Sequence, residues 1–105
     1  MASDIKLITD SFASVRVSTT QVGMASAVPS VWLGGVFVGT VQLQAQPPGQ
    51  TGFQPLTPIG AASANMTAAG VYAFPPIGGD YTYQLSATAY TSGAINAELQ
   101  LSPSP

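Results

Sequence analysis

The sequence predicts an all-β fold, a small antiparallel β-sandwich of the jelly-roll-like type with about seven to nine short strands. Apolar and polar residues alternate along most of the 105 residues, as they do in strands that bury one face. Turn-forming glycines and prolines recur at intervals of about 8–12 residues, which is the spacing found in sandwiches and barrels. A sustained helical period is missing, although residues 23–27 and 61–69 are compatible with short helical turns.

Five strands are predicted in the first half of the chain: residues 4–9, 15–22, 27–33, 36–46 and 53–57. The fourth is the clearest, because Phe37, Val41 and Leu43 share one face while glutamines supply the other. It ends at the turn sequence PPGQTG. Pro29 in the third strand favours either an edge strand or an irregular entry, and Pro55 in the fifth favours an edge, since proline has no N–H to donate to a central ladder.

Four more strands are predicted in the second half: residues 63–68, 71–74, 81–90 and 94–101. The sequence PPIGGD forms a turn before the third of these, and TSG is expected to close a hairpin between the last two. In the last strand every second residue from Ile95 onwards is apolar and is expected to face the core. No linker divides the chain, so we expect one domain over residues 1–101 and a flexible C-terminal tail over residues 102–105.

Charged residues are scarce, and their scarcity argues against most catalytic mechanisms and metal sites. The chain has no histidine and no cysteine, and its charged residues are Asp4, Lys6, Asp10, Arg16, Asp80 and Glu98. The usual proton-transfer groups and nucleophiles are therefore missing, and no histidine is present to activate a serine. The carboxylates lie in separate segments, without the close spacing of a calcium-binding loop. We expect no enzymatic activity, no metal and no cofactor.

The composition also argues against nucleic acid and membrane as partners. Two basic residues cannot form the patch that neutralises phosphates in nucleic-acid binding. The longest apolar stretch, at residues 31–38, has about eight residues, whereas roughly 20 are needed to span a bilayer. No secretory signal is visible at the start of the sequence, so we expect a complete chain that is made in the cytoplasm.

The same scarcity of charge favours association with other proteins. A folded chain of this length exposes on the order of 5,500 Å², which is about one charge per 900 Å². A standard interface buries roughly 800 Å² on each partner, so a patch placed anywhere would cover about one charge. Because removing charges from water is the main electrostatic cost of association, this composition predicts a subunit of an assembly.

Two groups of segments resemble a known family. The first is GTVQLQAQ at residues 39–46, followed by a turn and by FQPL at 53–56. The second is TAAGVYAFP at 67–75, followed by the strand at 81–91 and by SGAINA at 92–97. Over roughly residues 35–100 the pattern resembles small virion proteins of tailed bacteriophages, especially capsid decoration (cement) proteins. The chain departs from their usual form at the PPGQTG turn, where an Asp-Gly turn is commoner, and at Phe53, where a tryptophan is frequent.

The resemblance implies a non-enzymatic structural virion protein, a capsid decoration protein that binds the outer capsid surface and stabilises the shell. It implies the major capsid protein and other virion subunits as partners, and a homo-oligomer, either dimer or trimer, of chains made in the host cytoplasm. The alternative is a host- or glycan-recognition module, such as a head fibre, a tail tip or a carbohydrate-binding domain. The residues expected to form the contact surface are Val31, Trp32, Leu33, Phe74, Pro75, Pro76, Ile77 and Tyr90.

Overall fold

The computed structural model describes residues 6–22 and 26–103, and this part of the chain consists of strands and their connections. The strands are β1 (Lys6–Phe12), β2 (Arg16–Val17), β3 (Gln21–Val22), β4 (Ser26–Gly34), β5 (Phe37–Gln46), β6 (Gln54–Leu56), β7 (Gly70–Ala73), β8 (Ile77–Gly78), β9 (Thr82–Gly93) and β10 (Ile95–Pro103). Only β2, β3 and β8 are as short as two residues. Within the described ranges there is no helix, and so none that is long and apolar enough to cross a membrane.

The strands form two antiparallel sheets that pack face to face. In the first sheet the order is β1-β10-β4-β7, and β8 also pairs with β4. In the second sheet the order is β2-β9-β5-β6, and β3 also pairs with β9. All of these pairings are antiparallel. The predicted all-β antiparallel sandwich is therefore confirmed.

The connections at which the chain passes from one sheet to the other include those between β4 and β5 and between β9 and β10. Gly35 and Gly93 stand at these crossings with φ of +96° and +86°, in the left-handed region that favours glycine. The crossings pack against each other, because a Cβ on Gly35 would lie 2.5 Å from the carbonyl oxygen of Ala94 and a Cβ on Gly93 would overlap the backbone of Val36. The predicted hairpin at residues 91–93 is therefore wrong. Its turn residues reverse the chain but do not determine which sheet receives the next strand.

Two further segments, residues 15–22 and residues 63–68, also differ from their predictions. Residues 15–22 form β2 and β3 with a break between them, where Ser18 N–H donates to the carbonyl of Leu85 (2.8 Å) and Ser18 Oγ accepts the N–H of Leu85 (2.9 Å). A side-chain oxygen thus replaces a backbone acceptor of the ladder. Residues 63–68 contribute only an isolated bridge from Met66 to β5, and no helical turn forms over 61–69.

At the C-terminus, β10 extends through Pro103, so the predicted tail begins inside a strand. Residues 104–105, residues 4–5 of the first predicted strand and most of the predicted helical turn at 23–27 lie outside the described residues.

The core lies between the two sheets and takes apolar side chains from both. Its buried members are Ile8, Phe12, Val31, Leu33, Val41, Leu43, Ala45, Met66, Phe74, Tyr83, Leu85, Ala87, Ile95, Ala97, Leu99 and Leu101. The predicted inward face of β10 is confirmed, because every second residue from Ile95 to Leu101 is buried. The accessible surface is 5390 Å², close to the area expected from the length of the chain.

Tyr83 is the largest fully buried side chain of this core. Its hydroxyl oxygen is also buried and has no hydrogen-bond partner among the described residues. Burial, with a smaller contribution from neighbouring Tyr81, raises the pKa of Tyr83 to about 12. Within the part of the chain that the structure describes, the hydroxyl of Tyr83 thus lacks the partner that buried polar groups normally have.

Candidate functional site

The predicted contact residues are divided between the core and the surface. Val31, Leu33 and Phe74 are buried in the core, Trp32, Pro75 and Pro76 are exposed, and Ile77 and Tyr90 are half-buried. Alternation along β4 explains why Val31 and Leu33 are buried while Trp32 is exposed, because the neighbours of an outward-facing strand residue face inward. Because buried side chains cannot meet a partner, Val31, Leu33 and Phe74 are removed from the predicted contact surface, which leaves Trp32, Pro75, Pro76, Ile77 and Tyr90.

Trp32 lies on the outer face of the first sheet, in a row that crosses four strands. The antiparallel register places Thr9 beside Glu98, Glu98 beside Trp32, and Trp32 beside Val71. The side chains of Trp32 and Val71 are 54% and 59% exposed, so a contiguous apolar patch faces solvent here. Glu98 is the charged member of this row.

A depression of about 680 Å³ opens beside Trp32. Its floor is the next row of the register, in which Ser11 pairs with Asn96 and Asn96 with Gly34. Ser11 Oγ donates a hydrogen bond to Asn96 Oδ1 at 3.1 Å. Gly34 has no side chain, and a Cβ built there would meet no heavy atom within 4 Å, so this position leaves the depression open.

The proline segment borders the same sheet, whereas Tyr90 does not. Pro75 and Pro76 lie between β7 and β8, both of which pair with β4. The preceding residue, Phe74, donates its N–H to the carbonyl of Pro29 at 3.2 Å. Tyr90 lies on β9 in the second sheet and donates its hydroxyl to the carbonyl of Gly93 at 2.6 Å. The fold therefore brings Trp32 and the prolines to one sheet but leaves Tyr90 on the other.

The outer edge of β1 is covered by an ion pair between Asp10 and Arg16. The guanidinium contacts the carboxylate at 2.6 and 3.0 Å, and it lies 4.7 Å from the ring centroid of Phe12. Arg16 also donates to the carbonyl of Ser11 at 2.7 Å, while Asp10 Oδ1 accepts the N–H of Ser11 at 2.8 Å. The hydrogen bond from Arg16 holds the pKa of Asp10 below its usual value. Both backbone groups of Ser11 at this sheet edge are thus satisfied by side chains.

The outer face of the second sheet has a different chemistry, a chain of side-chain amides. Gln84 Nε2 donates to Gln44 Oε1 (2.8 Å), Gln44 Nε2 donates to Gln42 Oε1 (3.0 Å), and Gln42 Nε2 donates to Asn65 Oδ1 (2.8 Å). The donors all point in one direction along the chain of bonds. Although Gln84 faces outward, it is only 8% exposed.

We name the surface around these hydrogen-bonded amides the amide face. Its residues are Val17, Val22, Gln42, Gln44, Gln46, Asn65, Thr82, Gln84 and Ser86, which share one side of the second sheet by register or through the bond to Asn65. Gln84 and Ser86 are themselves buried, so the other seven side chains are the ones that a partner can contact. None of them is charged. Val17 and Val22 are 52% and 51% exposed and supply apolar area at its edge. Arg16 belongs to the adjacent strand position, but it pairs with buried Ala87 and so lies on the opposite side.

The described residues offer no grouping of three or more histidine, cysteine or acidic side chains that could hold a metal ion. Asp10 is bound to Arg16, and the carboxylates of Asp10 and Glu98 are the charged groups that line the depression.

The sequence pattern predicted Trp32 as a contact residue but did not predict the amide face or the depression. The alternation of glutamines at 42, 44 and 46 indicated a polar strand face. Nothing local indicated that Gln84 and Asn65 would complete a chain of bonds there. The depression beside Gly34 could not be predicted from local sequence either, because residues of β1 and β10 also line it.

No protein-family model matches this chain, and no curated protein matches it in sequence. Among solved structures, its fold is similar to that of the SPBc2 prophage-derived protein YomS, with a TM-score of 0.73. The similarity covers 96% of each chain at 11% sequence identity. At that identity, the likeness is one of fold.

Proposed function

We propose that this protein is a non-enzymatic structural component of a phage particle, a decoration protein that binds the outer capsid surface and stabilises the shell. The observation that carries the proposal is the amide face, an uncharged surface that extends across the second sheet. Its partner is the major capsid protein, and its place in the particle is the capsid exterior.

The amide face is suited to burial because its polar side chains are already ordered. Fixing a glutamine side chain costs up to about 1.5–2 kcal/mol of conformational entropy. In this protein the bonds between Gln84, Gln44 and Gln42 restrain the side chains before any partner arrives. Covering the exposed halves of Val17 and Val22 contributes about 1 kcal/mol each, roughly half the value for burying a whole side chain. The face therefore gains apolar burial at a low ordering cost and with no charge to desolvate.

Two further observations support a phage origin. A solved structure with a similar fold is described as prophage-derived. The strand and turn pattern over roughly residues 35–100 resembles decoration proteins of tailed phages. A capsid presents many copies of one binding position, so weak attachment of each copy is sufficient when the protein is itself a dimer or trimer.

Reconstitution on capsids tests the proposal. Capsids assembled without this protein are mixed with the purified chain, sedimented and assayed for bound copies and for the temperature at which they release their genome. We expect saturable binding and a higher release temperature. Absence of binding, or binding that leaves the release temperature unchanged, contradicts the proposal.

A matched pair of variants tests the amide face itself. Val17 and Val71 are valines with similar exposure that lie on edge strands of opposite sheets. We expect Val17→Asp to weaken capsid binding by about tenfold or more, because the new carboxylate must be desolvated, and Val71→Asp to bind like the parent. Loss of binding in Val71→Asp but not in Val17→Asp would move the contact to the first sheet and contradict the role of the amide face.

A further inference from the structure

We propose that the depression beside Trp32 is a saccharide-binding site, with the indole ring as the platform on which a sugar ring stacks. This inference goes beyond attachment to a capsid and does not rest on it, because the depression lies on the first sheet and the amide face on the second. If the amide face is bound to a shell, the depression faces outward.

The tryptophan that forms the platform lies outside the hydrophobic core. Trp32 is 54% exposed, although the side chains on either side of it in β4 are buried. Tryptophan combines a large apolar face with a polar N–H, and such side chains are enriched where one surface must meet both apolar and wet groups. The C–H face of a pyranose presents this combination, since its hydroxyl groups surround an apolar centre.

The groups around the platform include both donors and acceptors. Glu98 stands directly across from Trp32, and its carboxylate accepts hydrogen bonds. The bond from Ser11 Oγ occupies Asn96 Oδ1, which leaves the amide nitrogen of Asn96 to donate. Glu98 and Asn96 lie two residues apart on one strand, about 6.6–6.8 Å, a distance that a hydroxylated sugar ring spans.

Other ligand classes fit this lining less well. An anion would meet two carboxylate residues, Asp10 and Glu98, with no basic residue in the lining. A quaternary ammonium ligand is held by a cage of aromatic rings, and here Trp32 is the single aromatic residue of the lining. An added peptide strand needs an open sheet edge, whereas this depression lies over the paired backbones of β1, β10 and β4. A neutral saccharide can use the ring of Trp32, the carboxylate of Glu98 and the amide nitrogen of Asn96 together. The volume of the depression, about 680 Å³, is within the range of small-ligand sites.

Trp32 makes the test direct, because it is the only tryptophan of the chain and its fluorescence reports on the site. Methyl glycosides of glucose, galactose, N-acetylglucosamine and rhamnose are titrated into the full-length protein, followed by a glycan array. We expect at least one saccharide to cause a saturable change in emission with a dissociation constant on the order of millimolar, as usual affinities per atom give for so small a ligand. The absence of a saturable response in both the titrations and the array overturns the proposal.

Two variants separate this site from binding elsewhere, with affinities measured by saturation-transfer NMR. Trp32→Ala removes the platform, and Gly34→Val fills the depression where space is open and the backbone is outside the left-handed region. We expect each to weaken binding by about tenfold or more, and Ile59→Ala, an exposed apolar control, to leave it unchanged. Thermal unfolding confirms that each variant is folded. Unchanged affinity in Gly34→Val, or a saturable response to choline in place of sugars, overturns the proposal.

Two variants distinguish failure of the saccharide-binding proposal from failure of the capsid-binding proposal. Val17→Asp changes the amide face and leaves the depression intact, so it should retain saccharide binding. Gly34→Val should retain binding to capsids.

Discussion

Replacing Tyr83 by phenylalanine removes one hydroxyl from the centre of the core and leaves the ring in place. In the parent protein this oxygen is buried and has no hydrogen-bond partner among the described residues. A phenylalanine at the same position packs the same ring against the same neighbours. The substitution therefore isolates the cost of burying one unpaired polar atom.

The magnitude follows from that cost. A buried hydroxyl without a partner destabilises a protein by about 1–3 kcal/mol, and its removal leaves a void of one atom. We expect Tyr83→Phe to raise the free energy of unfolding by about 1 kcal/mol. With an unfolding entropy of about 2.1 cal/mol/K per residue, a chain of this length gains roughly 4–5 °C in Tm.

The raised pKa of Tyr83 also predicts that the free energy of unfolding depends on pH in the alkaline range. The pKa of Tyr83 is about 12 in the folded protein and about 10 in an unfolded chain. Between these values the folded state holds a proton that the unfolded state has lost, so stability is fully present below about pH 10 and falls as the pH approaches about 12. Tyr83→Phe has no such proton, and its advantage over the parent should widen across this window.

Urea unfolding at neutral pH and at several alkaline pH values measures both effects. Tyr90→Phe is the matched control, because the hydroxyl of Tyr90 donates to the carbonyl of Gly93 at 2.6 Å. We expect that variant to lose about 0.5–1.5 kcal/mol at neutral pH. If Tyr83→Phe is less stable than the parent, or if its advantage stays constant from pH 8 to about pH 12, the reasoning from an unpaired buried hydroxyl is wrong.

Three further predictions concern stability and association. Gly39→Ala should cost about 1–3 kcal/mol in urea unfolding, because the added Cβ would lie 2.7 Å from a carbonyl oxygen of β9, whereas Gly34→Ala enters open space and should cost less than about 0.5 kcal/mol. Arg16→Ala uncovers the edge of β1 and should increase self-association in sedimentation velocity at high protein concentration. Gln44→Ala breaks the amide chain at its middle and should cost about 1–2 kcal/mol, more than the exposed control Gln54→Ala.

Each of these has a contradicting outcome. Equal losses in the two glycine variants would show that the crowding at Gly39 relaxes without cost. An Arg16→Ala variant that sediments like the parent at every concentration would show that the ion pair does not protect the edge. A Gln44→Ala variant as stable as Gln54→Ala would show that the amide chain contributes nothing to the folded state.

Local patterns predicted the strands well, because alternation is a property of consecutive residues. The faces of β10 and of the middle of β5 and β9 follow directly from it, as the burial of Leu43, Leu85 and Leu99 shows. The pattern was wrong at the end of β9, where a register shift against β5 leaves Ala89 exposed and packs Tyr90 against the core. The sheet to which each strand belongs did not follow. Gly93 allows a tight reversal, but a hairpin and a crossing use the same turn residues, and only long-range packing distinguishes them.

The surfaces were harder to predict for the same physical reason. Val31 and Leu33 were assigned to a contact surface together with Trp32, although the alternation of their own strand places them inside. Gln44 and Gln84 are 40 residues apart, and no local signal indicates that their amides meet. A site that depends on contacts between distant strands becomes visible only when the register is known.

Electron microscopy of the native particle tests the central claim most directly. The account predicts density for this protein on the outer surface of the capsid, with the amide face towards the shell and Trp32 towards solvent. Particles that lack this density, or density in which the amide face points away from the shell, would contradict it.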